Sequence, residues 1–229
     1  MKLKFIGIFL IIFSLTISYP CISSHSQPGN EPSLIKPKAF AFNANHLVVN
    51  QVRFNIIPDS AIINAKNTLH IAYGHTSHGS QIITGMNDLP VYKESLGGTE
   101  GLYDWNEGGI DGALDIDDYF VSGDLGNPDI SSWTERTEEY LNNSANSDVN
   151  VVMWSWCGQV STATEADIDL YLSLMTALEE LYPDVYFIYM TEHTDGTGLD
   201  GNLHIRNNQI RAYCEANYKI LFDFADLES

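Results

Sequence analysis

The sequence predicts an α/β domain: a three-layer α/β/α sandwich around a mainly parallel central sheet. Three observations carry this. Continuous apolar, β-prone runs recur at 149–154 (VNVVMW), 185–190 (VYFIYM) and 218–224 (YKILFDF), as expected of strands buried on both faces. Helical patterns separate these runs. Polar, glycine-containing breaks lie at 74–81, 155–159 and 191–196, each at the carboxyl end of a strand. Helices between apolar strands give a parallel sheet covered on both faces. The three breaks then share one edge, where open α/β sheets bind ligands.

The bulk numbers agree with one such domain. The 229 residues suffice for a sizeable core, and 44% apolar with 11% aromatic content marks a globular chain. Lys and Arg number 11 against 30 Asp and Glu, a net charge of -19. That balance argues against nucleic acid and anionic membrane as partners, and suits a neutral or cationic ligand.

Lys2 and Lys4 precede an apolar run from Phe5 to Ile17. The run is short for a membrane span and has the basic start of a secretory signal. Residues 1–24 are assigned to a signal peptide, with cleavage near Ser23 or Ser24. Residues 25–45, rich in Ser, Pro, Asn and Gln, are assigned to a linker, and 46–229 to the domain. A secreted or periplasmic location follows, with no integral membrane domain after signal removal. Cys21 offers a lipid anchor as the alternative, although Ser18-Tyr19-Pro20 fits a bacterial lipobox poorly. Export places Cys157 and Cys214 in an oxidising setting, where a disulfide and two separate thiols both stay open.

In chain order, Leu47 to Ile57 reads as a first short strand or an extended lead-in. Asp59 or Ser60 can cap a short helix ending near Lys66-Asn67. The strand Thr68 to Tyr73 breaks at Gly74 and turns into a helix, Ser80 to Leu89. Residues 91–131, full of Gly and Asp, read as a long irregular excursion, and Asp111 to Asp118 invites a calcium reading but lacks EF-hand spacing. A helix follows over Ile130 to Asn142. Thr164 can cap the strongest helix, 164–181, with Glu165 and Asp167 in its first turn and Pro183 beyond its end. A last helix spans 202–217.

The shared edge suggests acyl transfer. A serine in a strand-to-helix turn has its hydroxyl exposed and backbone donors beside it. Ser77 or Ser80 is the candidate nucleophile, with helix capping as the plain alternative for Ser77. Gly158 N–H and the Gln159 amide are candidate oxyanion donors, and His193 is the candidate base. His75, His78, Ser80 and Trp156 are candidate substrate contacts, and Trp105, Trp133 and Trp154 are further stacking faces for a sugar. No metal or cofactor is called for.

This layout resembles the SGNH (GDSL-like) hydrolase superfamily over roughly residues 68–226. Tyr73-Gly74-His75-Thr76-Ser77 stands where that family has strand-Gly-Asp-Ser, with one extra residue and no Asp before the serine. Trp156-Cys157-Gly158-Gln159 stands near the Gly-x-Asn block, with Gln for Asn. The resemblance implies a flavodoxin-like, SGNH-hydrolase-like fold and a serine esterase acting on a small-molecule or glycan ester, such as O-acyl groups of carbohydrate. The family's Asp-x-x-His follows the last strand. Here Asp223 and Asp226 are present with no histidine beyond them. That implies a domain incomplete at its C-terminal end, or a base from elsewhere, His193 being one. A non-catalytic cell-surface glycan-binding domain on the same scaffold is the alternative function, and a calcium-dependent surface protein a weaker third.

Overall fold

The computed structural model describes residues 41–49 and 55–229. The assigned signal peptide, Cys21 and the linker up to residue 40 lie outside the described residues.

Among the described residues, seven strands form one parallel sheet in the order β1-β7-β6-β5-β2-β4-β3. The strands are β1 (Phe42–Ala44), β2 (His70–Gly74), β3 (Trp105–Asn106), β4 (Leu114–Asp118), β5 (Val151–Trp154), β6 (Tyr186–Met190) and β7 (Ile220–Phe222). The longer helices are α1 (Asp59–Thr68), α2 (Ser80–Glu94), α3 (Ser132–Leu141), α4 (Glu165–Leu181) and α5 (Asn202–Ala216), and a short α6 (Phe224–Glu228) follows β7. Among the described residues, no helix is long and apolar enough to cross a membrane.

Alternation along the strands sorts the core into two layers. Tyr73, Val151, Met153, Ile188 and Met190 face α1, α2 and α6, meeting Ile62, Ile82, Met86 and Phe224. Ala72, Val152, Trp154, Phe187 and Tyr189 face α3, α4 and α5, meeting Trp133, Tyr171, Met175 and Ile210. Each layer is continuous, so the three-layer sandwich follows directly from the strand pattern. The strongest helix starts as its sequence indicates. Thr164 and Asp167 form a reciprocal capping box at the head of α4.

The structure adds elements that the sequence hides. Residues 91–131 are not wholly irregular: α2 runs on through Pro90 to Glu94, and β3 and β4 extend the sheet. In β4, Leu114 and Ile116 alternate with Asp115 and Asp117. The acids obscure a period-two pattern. Phe42–Ala44, inside the assigned linker, forms β1 and pairs with β7, whereas 45–49 is a turn rather than a strand. Part of the expected Leu47–Ile57 strand, residues 50–54, lies outside the described residues. The last strand is followed by α6, whose Phe224 and Leu227 cover one face of the sheet.

The calcium reading of 111–118 also changes. Asp115 and Asp117 share one face of β4 and Asp118 turns to the other, and each of the three already has a partner within the protein. Asp115 binds the His70 ring (2.7 Å) and the Gly108 N–H (2.7 Å), Asp117 binds the Tyr140 hydroxyl, and Asp118 binds His75 (2.7 Å). Cys157 and Cys214 are separate free thiols, the second buried in α5.

Asp223 fastens the β7 end. It is 2% exposed and takes both arms of the Arg211 guanidinium (2.7 Å each) and the Thr191 hydroxyl (2.9 Å). Truncating one partner strands the others without a countercharge. Asp223→Ala should therefore cost roughly 3–5 kcal/mol in urea denaturation.

Candidate active site

From β2 the chain leads across β3 and β4 to one side of the sheet. From β5 it proceeds through β6 and β7 to the other side. The topological switch point lies between β2 and β5, and the turns that follow these two strands flank it.

The β2 turn is shaped by two close approaches. A Cβ on Gly74 would lie 2.3 Å from the Trp154 ring, and one on Gly79 would lie 2.2 Å from Ser155 Oγ and 2.4 Å from His75 Cβ. Glycine is required at both positions. Between them Ser77 holds φ 21°, outside the regions that a serine favours. Ser77 is exposed, and its hydroxyl has no partner among the described residues. Ser80 differs, because its hydroxyl donates to the Ser77 carbonyl in the first turn of α2.

The two histidines beside Ser77 have different surroundings. His75 is buried, stacked on Tyr73 (4.6 Å between centroids), with Nε2 on Asp118 Oδ1 and Nδ1 unpartnered. His78 stacks on His193 at 3.6 Å and 21°. Burial holds the His78 ring below its ordinary pKa, helped by His193 and opposed by Glu228. This stack joins the first and third polar breaks.

The β5 turn is tied internally. Gly158 turns with φ 104°, a conformation that favours glycine. The Gln159 amide donates to Asp124 Oδ1 (3.0 Å) and accepts from the Cys157 N–H (2.9 Å). The Gln159 amide, expected to face an oxyanion, is thus used within the protein, while the Gly158 N–H has no hydrogen-bond partner among the described residues. Trp156 is 1% exposed, gives its indole N–H to the Met190 carbonyl (3.1 Å) and packs on Tyr171. It has no face left for a ligand, and Trp133 and Trp154 are equally enclosed. Trp105 is only half-buried, at the β3 edge. Asp124, 2% exposed, links the two turns by accepting also from the Thr76 hydroxyl (2.7 Å) and the Gly126 N–H (2.9 Å).

The β6 end holds Glu192 and His193. The Asn207 side chain clamps the Glu192 backbone, accepting its N–H and donating to its carbonyl (3.0 Å each). The Glu192 carboxylate accepts the Val160 N–H (2.6 Å). Burial pushes this carboxyl up to about 7, against the pull of the Val160 and Gly158 N–H groups and of His193. His193 Nδ1 lies 3.0 Å from the Thr194 carbonyl. A carbonyl only accepts, so in the neutral ring Nδ1 carries the proton and Nε2 is the lone pair.

One feature marks this edge as a candidate site. Among the described residues, seven buried side-chain polar atoms lack a partner, and five belong to these three turns: His75 Nδ1, His78 Nδ1, Ser155 Oγ, Glu192 Oε1 and His193 Nε2. Native interiors satisfy most buried polar groups, so a concentration of exceptions calls for a functional account. Imidazole lone pairs and a carboxyl titrating near neutrality suit proton transfer. The one group of three His, Cys, Asp or Glu with ligand atoms within 4.8 Å, among the described residues, is His70, Asp115 and Asp148. It belongs to the opposite end of β2, where His70 begins the strand.

The sequence assigns no role to Glu192, Asp124 or Asn207, and to Asp118 only a place in the calcium reading. Glu192 had a local signal, its place in a strand-end break beside a histidine. The other three act through partners 43, 48 and 15 residues away.

Glu192 also sets a pH dependence. Its folded pKa lies above the ordinary 4.5, so its contribution to stability is complete below pH 4.5 and is lost as pH rises through about 7. Relative to Glu192→Gln, the wild-type chain should lose on the order of 3 kcal/mol across that window, measured by urea denaturation from pH 4 to 8.

No protein-family model, curated protein or solved structure matches this chain, and its chemistry is therefore read from its own geometry.

Proposed function

We propose that the chain is an exported serine esterase of SGNH type, with Ser77 as nucleophile and His193 as general base, removing O-acyl groups from carbohydrate. The observation that carries this reading is Ser77 itself: exposed, with no hydroxyl partner among the described residues, at φ 21° in the strand-to-helix turn, and one residue from the His78–His193 stack. Such a turn presents a hydroxyl at the carboxyl edge of a parallel sheet.

The chemistry is a two-step acyl transfer. His193 Nε2 takes the Ser77 Oγ proton as Oγ bonds the acyl carbon. The imidazolium then gives that proton to the departing alkoxide. Water, deprotonated by the same nitrogen, cleaves the acyl-enzyme and restores the serine. Oxyanion donors come from the start of the 77–79 turn. Its first helical bond is Gly79 N–H to the Thr76 carbonyl, so the N–H groups of Ser77 and His78 precede it.

A second reading, a glycan-binding domain without turnover, is favoured by one observation: His193 Nε2, the atom that would act as base, is buried. The two readings separate experimentally. A fluorophosphonate should give a stoichiometric adduct on Ser77, mapped by mass spectrometry. Ser77→Ala should abolish the adduct and reduce hydrolysis of an O-acetylated sugar by a factor on the order of 10³ or more. Full activity in Ser77→Ala would sink the assignment, and glycan binding with neither adduct nor turnover would select the binding domain.

A further inference from the structure

Residues 91–131 place glycine at six of their eight positions of positive φ, Asp111 at the seventh and Tyr119 at the eighth, with φ 57°. A bulky aromatic is an outlier in the left-handed region and persists there only where its surroundings fix it. Three contacts do so. The Tyr119 N–H donates to the Tyr73 carbonyl (2.9 Å), the preceding Asp118 holds His75 Nε2 (2.7 Å), and the Tyr119 ring lies 5.7 Å from the His75 ring at 70°. Farther along, Asp124 takes the Thr76 hydroxyl (2.7 Å). The segment after β4 is thus stitched to the two residues that lead into Ser77, yet Tyr119 is 48% exposed.

Tyr218 is the other exposed Phe, Tyr or Trp among the described residues, and its φ is also 57°. There the angle ends a helix: the Lys219 N–H returns to the Cys214 carbonyl (2.8 Å) just past α5, ahead of β7 and so at the opposite edge of the sheet. Tyr119 follows a strand and ends no helix. The tryptophans do not serve the carboxyl edge. Trp133, Trp154 and Trp156 are enclosed, and Trp105 stands in register with Leu114, at the start of β4. A sugar bound at Ser77 therefore meets its aromatic face in Tyr119. One side of a pyranose ring presents C–H groups that pack on such a face, and tyrosine offers this area at low entropic cost.

We propose that Tyr119 is the sugar-stacking residue of this edge: the face on which the pyranose ring bearing the O-acyl group lies while its ester is presented to Ser77. The proposal rests on the reading of the edge as a carbohydrate esterase. Tyr119 binds and orients, and takes part in no bond that is made or broken. It makes the enzyme choose an acylated sugar over an ester without a ring.

The test compares two esters in the full chain: a mono-O-acetylated methyl glucopyranoside, and ethyl acetate, which has no ring. Tyr119→Gly removes the side chain and suits the backbone angle, and Tyr119→Asn, which also adopts that angle, repeats the measurement. Either should lower kcat/KM for the glycoside relative to ethyl acetate by about tenfold, through KM. Tyr119→Phe keeps the ring and should keep the preference to within about twofold. No preference for the glycoside in the wild-type chain, an equal loss on both esters, or no loss on either overturns the proposal. Absence of turnover of both esters by the wild-type chain overturns the esterase reading instead. The stack is then decided by the Kd of the glycoside, which Tyr119→Gly should raise about tenfold. An unmoved Kd, or a glycoside that does not bind, overturns the proposal.

Discussion

The carboxyl edge of the sheet is closed by carboxylates. When parallel strands end together, their last backbone groups and the turns beyond them must find partners out of reach of water. Asp118, Asp124, Glu192 and Asp223 supply these. Asp124 joins the β2 and β5 turns, Glu192 joins the β5 turn to β6, and Asp223 joins β6 to β7 and α5. Asp118 fixes His75 from β4. Each element of the edge is thereby tied to its neighbour through a charged acceptor, whose hydrogen bonds are stronger than neutral ones. The arrangement also concentrates titratable groups where the polar atoms without partners lie.

Such an edge is both rigid and unfinished. Asn207 holds the Glu192 backbone at both its N–H and its carbonyl, and Gly74 and Gly79 admit neighbours closer than any side chain would allow. Against that framework, Ser77 keeps an unfavourable backbone angle, and five buried polar atoms stay without partners. Strain and unsatisfied groups persist only where the surroundings over-determine them. The two glycine contacts and the Asn207 clamp supply that determination here.

The strands buried on both faces were legible because an apolar run needs no knowledge of its neighbours. β5 and β6 lie inside VNVVMW and VYFIYM, and the Thr164 cap is a local signal. β4 was hidden because Asp115 and Asp117 look like loop residues until His70 and Tyr140 are seen to meet them. β1 was hidden because three residues in a polar stretch become a strand only against β7. Trp156 misled because its polar neighbours suggest a loop. The strand's alternation in fact continues past Trp154, turning Ser155 to one face and Trp156 into the other core layer. For Ser77 and Ser80 the sequence offered no distinction. The difference lies in hydroxyl partners, which depend on the turn's geometry.

The pairing of β1 with β7 has a mechanical side. Phe42, Asn43 and Ala44 run parallel to Ile220, Leu221 and Phe222 at the sheet's edge. Tension applied to the chain ahead of Phe42 is directed along the strand axis, so these bonds bear load together in shear instead of opening one at a time. β6, with Glu192 and His193 beyond its end, lies behind β7 and receives that load second. A pull on Phe42 along the strand would therefore meet the β1–β7 ladder before it reached the turn beyond β6.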